Sequence, residues 1–158
     1  MNTEFETVID LLRARASHGQ DGPGYVFLSD GEAESESLTY RAIDQRSRRI
    51  AAQLQQSVFP GARVLLLYPP GLDFIPAFLG CMAAGVIAVP TCAPHLLPPA
   101  RCLPQLEAIA READVSAILC TAALAERLTL LFREIPVLAR TPILTTDRPS
   151  PRDRKSVV

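Results

Sequence analysis

Between Arg63 and Pro90 the chain reads RVLLLYPPGLDFIPAFLGCMAAGVIAVP, and no charged side chain occurs from Phe74 to Pro90. Two structures compete for such a stretch: a membrane-spanning helix, or a buried strand, helix and strand. A spanning helix needs about 20 uninterrupted apolar residues, whereas prolines stand here at 69, 70, 76 and 90 and glycines at 71, 80 and 85. Proline cannot donate to a sheet ladder and glycine frees the backbone, so Pro69-Pro70-Gly71 is a turn. VLLLY (64–68) has the length and unbroken apolar character of a strand buried on both faces. Phe74, Ala77, Phe78, Cys81 and Met82 then recur at helical spacing over residues 72–84, with Gly85 as the stop. VIAV (86–89) is a second strand, ended by Pro90. The run therefore predicts a parallel β-α-β unit and no membrane span.

The flanking sequence fits the same class. Thr3 and Glu6 form a capping box for a first helix carrying Phe5, Val8, Ile9 and Leu12, which Gly19 stops. YVFL (25–28) and Ser37-Leu38-Thr39 are a strand and its short return across an acidic loop with Glu32, Glu34 and Glu36. Thr39 caps the next helix, whose core face is Ile43, Ile50, Ala51 and Leu54 and which ends before Pro60-Gly61. Beyond the proline-rich loop at 90–99, Pro104 suits the first turn of a helix through Leu106, Ile109, Ala110 and Ala113. AILCT (117–121) is a third strand and Ala122–Arg133 a further helix. The fold class is α/β, a mainly parallel sheet flanked by helices.

With 158 residues, 48% of them hydrophobic, the chain can bury one core. A net charge of -1 with dispersed basic residues gives no basis for a nucleic-acid partner. RSRR (46–49), the densest basic run, reads as a solvated helix face. Cys81, Cys92, Cys102 and Cys120 form no C-x-x-C pair, and Cys81 and Cys120 lie in apolar runs that suit free thiols, so a cytoplasmic location is expected. Cys92, His95 and Cys102 number too few for a closed zinc site, and no metal is assigned to them.

Ligand crevices in open parallel sheets lie outside the carboxyl ends of the strands, which singles out Tyr68–Gly71, Thr91–Pro99 and Thr121–Ala123. None of these contains a phosphate-cradling glycine loop, and lysine is absent before Lys155. His18 and His95 have no companions that would make either a catalytic base. No catalytic, cofactor or metal residue is nominated on chemical grounds.

LTYRAIDQRSRRIAAQL (38–54), GARVLLLYPPGLDFIPAFLGCMAAGVIAVP (61–90) and AILCT resemble the N-terminal part of the adenylate-forming superfamily. YPPGLDFI followed by GCxxAGVIAVP is similar to its fatty acyl-AMP ligases in particular. The resemblance implies a parent enzyme that joins a fatty acid to AMP using ATP and magnesium. It then passes the acyl group to the phosphopantetheine thiol of an acyl carrier protein. The family's nucleotide loop, ribose-binding aspartate and catalytic lysine belong downstream, so this chain alone is expected to be inactive and to bind no cofactor. Thr91, Cys92, Ala93 and Pro94 stand where the family favours an aromatic and two prolines. In related coenzyme A ligases that loop lies toward the thiol acceptor, which makes these four the candidate acceptor-side loop. A coenzyme A ligase, a nonribosomal-peptide adenylation domain and a freestanding non-catalytic binding module are the competing readings.

Residues 1–147 are expected to form the N-terminal part of the ligase's large domain. Residues 148–158 are expected to be a non-native or disordered tail. They lack periodicity, hold the chain's one lysine, and end in DRKSVV, which resembles the translation of a sequencing adapter.

Overall fold

The computed structural model describes residues 5–18, 22–94 and 98–147. The tail at 148–158, the capping residue Thr3, the stop at Gly19 and the loop residue His95 lie outside that set. In chain order the elements are α1 (Val8–Ser17), β1 (Pro23–Leu28), β2 (Glu34–Thr39), α2 (Tyr40–Ser57), β3 (Arg63–Tyr68), α3 (Phe74–Ala84), β4 (Ile87–Cys92), α4 (Pro99–Glu112), β5 (Val115–Cys120), α5 (Ala122–Leu131), α6 (Pro136–Arg140) and β6 (Ile143–Thr145).

β1 and β2 form an antiparallel hairpin, and the other four strands form a parallel sheet in the order β4-β3-β5-β6. β3 is central, paired with β4 from Arg63–Ile87 to Tyr68–Cys92 and with β5 from Arg63–Val115 to Leu67–Cys120. Its alternation divides the core in two. Val64, Leu66 and Tyr68 pack with Ile50, Leu54, Ala77 and Cys81 beneath α2 and α3. Leu65 and Leu67 pack with Leu106, Ala110, Leu124, Leu128 and Phe132 beneath α4 and α5. Each fully buried leucine contributes roughly 1.5–3 kcal/mol through removal of apolar surface from water, so β3 holds both layers to one sheet.

Several local expectations are corrected. The α1 cap is Thr7, whose hydroxyl accepts from the Asp10 N–H at 3.1 Å, one turn later than the expected capping box. Glu34 and Glu36 belong to β2 and not to a loop. In α3 the buried positions are Pro76, Ala77, Leu79, Gly80, Cys81 and Ala84, while Phe78 and Met82 face outward. Small residues on the inner face let α3 sit close to α2, and the large side chains find no room there. β4 does not stop at Pro90 but continues to Cys92, because an edge strand leaves alternate backbone positions without a ladder partner. Pro104 lies inside α4, and the helix starts at Pro99 instead, at the first-turn position that proline favours. The short α6 and β6 were not anticipated.

Thr39 does cap α2, accepting from the Ala42 N–H at 3.2 Å, and Gly85 ends α3 in the left-handed conformation at φ 71°. α3 approaches α2 closely at Gly80: a Cβ there would stand 2.8 Å from Ile50 Cγ2, 2.9 Å from Ile50 Cβ and 3.1 Å from the Ser47 carbonyl. The β-branched Ile50 and the α2 backbone cannot yield without moving the helix. Gly80→Ala is therefore expected to destabilise the fold by roughly 1–3 kcal/mol, overpacking outweighing the helix-propensity gain. Equilibrium denaturation of the two proteins checks this.

Candidate functional site

The sheet order places a topological switch at the carboxyl ends of β3 and β5. From β3 the chain crosses over α3 to β4 on one side, then returns by α4 to β5 on the other. The chain leaves β3 for α3 in one layer and β5 for α5 in the other, so the ends of β3 and β5 diverge toward different layers, the position at which open parallel sheets form their ligand crevice. The described parts of the three loops selected from the sequence lie at this end of the sheet.

The crest is built by four segments. At the end of β3, Tyr68 is buried and its hydroxyl lies 2.8 Å from Thr146 Oγ1, just beyond β6. Burial drives the phenol far above its ordinary range despite the Thr146 hydrogen bond, so it stays protonated. Gly71, at φ 152°, takes the turn where side-chain-bearing residues are rare and brings the chain to Asp73. Asp147 Oδ1 accepts from the Ala122 N–H at 2.8 Å, capping α5 from 25 residues away. The end of β6 is thus pinned to β3 through Thr146 and to α5 through Asp147.

Beside this crest a groove of about 380 Å³ runs between α2, the first turn of α3 and the end of β6. Gln45, Arg46 and Arg49 line it from α2, Asp73 and Pro76 from α3, and Thr146 and Asp147 from beyond β6. Arg46 reaches Asp73 at 3.4 Å and Arg48 reaches Asp44 at 2.8 Å. The basic run at 46–49 is therefore divided between an intrahelical pair and the groove, and is not simply a solvated face. Burial raises the Asp73 carboxyl above 3.8, with Arg46 opposing the shift and the Asp147 and Glu36 charges adding to it.

The candidate acceptor-side loop closes β4. Thr91 is half-buried, Cys92 exposed, and Ala93 and Pro94 buried. Cys92 lies in register with Tyr68, one strand outward from the crevice. Cys81 and Cys120 pack in the core, where burial pushes both thiols up to about 12, so neither supplies a thiolate near neutral pH.

The crest carboxylates are engaged by Arg46 and by the α5 N-terminus, and no group of three metal-ligating side chains converges among the described residues. The Tyr68–Thr146 and Asp147–Ala122 contacts were invisible in the sequence, because no short spacing joins their partners. No helix among the described residues is long and apolar enough to cross a membrane.

A parallel α/β layer with its crevice at a strand switch is the class of structure that binds at the strand ends, and comparison with known proteins places it. The family described as AMP-binding enzyme matches residues 13–156, and the chain belongs to that family. It is 47% identical over 116 residues to the medium-chain fatty acid–acyl-carrier-protein ligase JamA of Moorena producens, covering 73% of this chain and 20% of that one. It is 32% identical over 145 residues to the long-chain fatty acid–AMP ligase FadD23 of Mycobacterium tuberculosis, covering 90% and 24%. The crystal structure of the fatty acyl-adenylate ligase from Legionella pneumophila, in complex with acyl adenylate and pyrophosphate, superposes with a TM-score of 0.75 at 34% identity. That match covers 90% of this chain and 24% of that one. The chain thus spans about a fifth to a quarter of the length of these relatives.

Asp73 gives a pH test with a definite sign. Its folded carboxyl binds a proton more tightly than an ordinary aspartate, so its contribution to stability is largest at low pH and declines as pH rises past 3.8. Asp73→Asn removes that decline. Thermal melts across acid to neutral pH should show the stability of the variant minus that of the parent rising with pH, whereas a difference that falls as pH rises would contradict the burial argument.

Proposed function

We propose that this chain is the N-terminal part of a longer cytoplasmic ligase that activates a fatty acid with ATP and magnesium to acyl-AMP and pyrophosphate. The ligase then transfers the acyl group to the phosphopantetheine thiol of an acyl carrier protein, releasing AMP. The observation that carries this reading is the 47% identity over 116 residues to a fatty acid–acyl-carrier-protein ligase. The chemistry explains the two steps: a carboxylate is a poor acyl donor, and the mixed anhydride makes AMP the leaving group.

On this reading the chain contributes a scaffold. β3 and β5 carry their loops to the crevice, and the pinned end of β6 delivers the backbone at a fixed place on its rim. The residues that hold ATP and magnesium belong to the remainder of the ligase. The loop Thr91, Cys92, Ala93 and Pro94 is assigned to the side from which the acceptor thiol arrives.

The gene product with its ligase frame continued past residue 147 is expected to exchange labelled pyrophosphate into ATP in a fatty-acid-dependent manner and to acylate a carrier protein, read by mass spectrometry. The 158-residue chain is expected to do neither, since it has no phosphate-cradling glycine loop and no lysine before Lys155 to offset charge as pyrophosphate departs. Coenzyme A run in parallel identifies the acceptor: acyl-coenzyme A formed in preference to acylated carrier protein would refute the carrier-protein assignment.

A further inference from the structure

We propose that the cleft at the amino ends of β5 and β6, between α4 and α6, is a binding site for a carboxylate that carries an apolar chain. It lies at the opposite end of the sheet from the crevice and its rim, and it stands whether or not the ligase reading holds.

The cleft encloses about 520 Å³, a volume suited to a small organic molecule. Two kinds of surface meet in it. Its floor is apolar: Val115 and Val137 are half-buried and pack in part against the core beneath α4 and α5, while Pro136 and Pro142 stand exposed beside them. Its edge is cationic, with Arg111 supplied by the last turn of α4 and Arg140 by the last residue of α6.

The charges select the ligand. Arg111 is paired with Glu107 one helical turn back, whereas Arg140 makes no ion pair among the described residues. Two guanidiniums against one carboxylate leave the lining a single positive charge in excess, which one carboxylate balances and a phosphate dianion overshoots. The planar fork of Arg140 also matches a carboxylate in two parallel hydrogen bonds. An exposed guanidinium alone holds a small anion weakly, because water screens the pair. A chain laid over Val115 and Val137 adds the removal of apolar surface from water, so the cleft favours an amphipathic carboxylate over a bare anion.

The backbone is shaped at the same place. Arg63 of β3 pairs with Val115 and Val64 with Ala117, so Ser116 is passed over in that register, and pairing with β6 begins only at Ile118. Ser116 is therefore a bulge residue, and it lines the cleft. Bulges re-aim a side chain out of the regular pleat. The Thr141 hydroxyl is committed to the Val137 carbonyl, to which it donates at 2.6 Å, which leaves Ser116 as the hydroxyl that serves the ligand beside Arg140.

Titration of decanoate, decanol and inorganic phosphate into the 158-residue chain, followed by the amide resonances of Ser116, Val137 and Arg140, tests this. Decanoate is expected to shift all three saturably, with decanol and phosphate each binding at least tenfold more weakly. Arg140→Gln, at an exposed position that need not disturb folding, should weaken decanoate roughly tenfold, as loss of a charge-assisted contact does. Glu107→Gln, which frees Arg111, should tighten it. Decanol or phosphate matching decanoate, no saturable shift at these amides, Arg140→Gln binding like the parent, or Glu107→Gln binding no tighter overturns the proposal.

Discussion

The structure depends on β3 being hydrogen-bonded on both edges and buried on both faces. A strand in that position cannot carry a polar side chain on either face without leaving it unsatisfied, which is why residues 64–67 are apolar without alternation. The consequence is that a single strand belongs to two cores. Leu66 answers to Ile50 and Cys81 on one side, while Leu65 and Leu67 answer to Leu106 and Leu128 on the other. Neither helical layer has an independent sheet to pack on. This is also why the Pro-Pro-Gly turn matters: it ends the strand abruptly after Tyr68, so the crest begins where the double burial stops.

The same doubly buried strand made most of the fold legible in the sequence. A continuous apolar run of strand length has few alternatives once prolines and glycines exclude a long helix, and VLLLY and AILC are both central strands in the structure. Helix ends marked by a threonine or a glycine were equally readable at Thr39 and Gly85, since capping is a local interaction. β6 was not readable because three residues cannot display a period, and α6 because five residues show neither a face nor a cap beyond Pro136. The outward turn of Phe78 and Met82 was misjudged for a different reason. Their spacing is helical, but the face that packs was decided by Gly80 and Ala77 fitting against α2, a steric fact that hydrophobicity does not encode.

The site was less legible than the fold, and the difference lies in sequence separation. The strand-end rule singled out one end of the sheet from the order of elements alone, and the groove lined by Asp73, Thr146 and Asp147 lies beside that end. The contacts that shape that end join Tyr68 to Thr146 and Asp147 to Ala122, and they exist only after the sheet has brought distant segments together. Motif reading could name Thr91, Cys92, Ala93 and Pro94 because a resemblance marked that loop as unusual. It could not show that Cys92 stands on an edge strand, one place outward from the crevice, while Thr146 and Asp147 stand at its rim.

The basic run at 46–49 shows how one short motif takes several roles once a helix has set its directions. Residues 45, 46 and 49 lie toward the groove with Ala42, one helical turn apart, whereas Ser47 turns into the contact with Gly80 and Arg48 reaches back to Asp44. The net charge of the run says little, because its members are separated by the helix surface and meet different neighbours. Arg46 meets Asp73, whose position follows from the turn that ends β3. The ion pair therefore joins the helix before the sheet to the loop after its central strand. Such a half-exposed pair contributes little to stability in itself. Its effect is on placement, holding the first turn of α3 against α2 beside the same groove that flanks the open edge of β6.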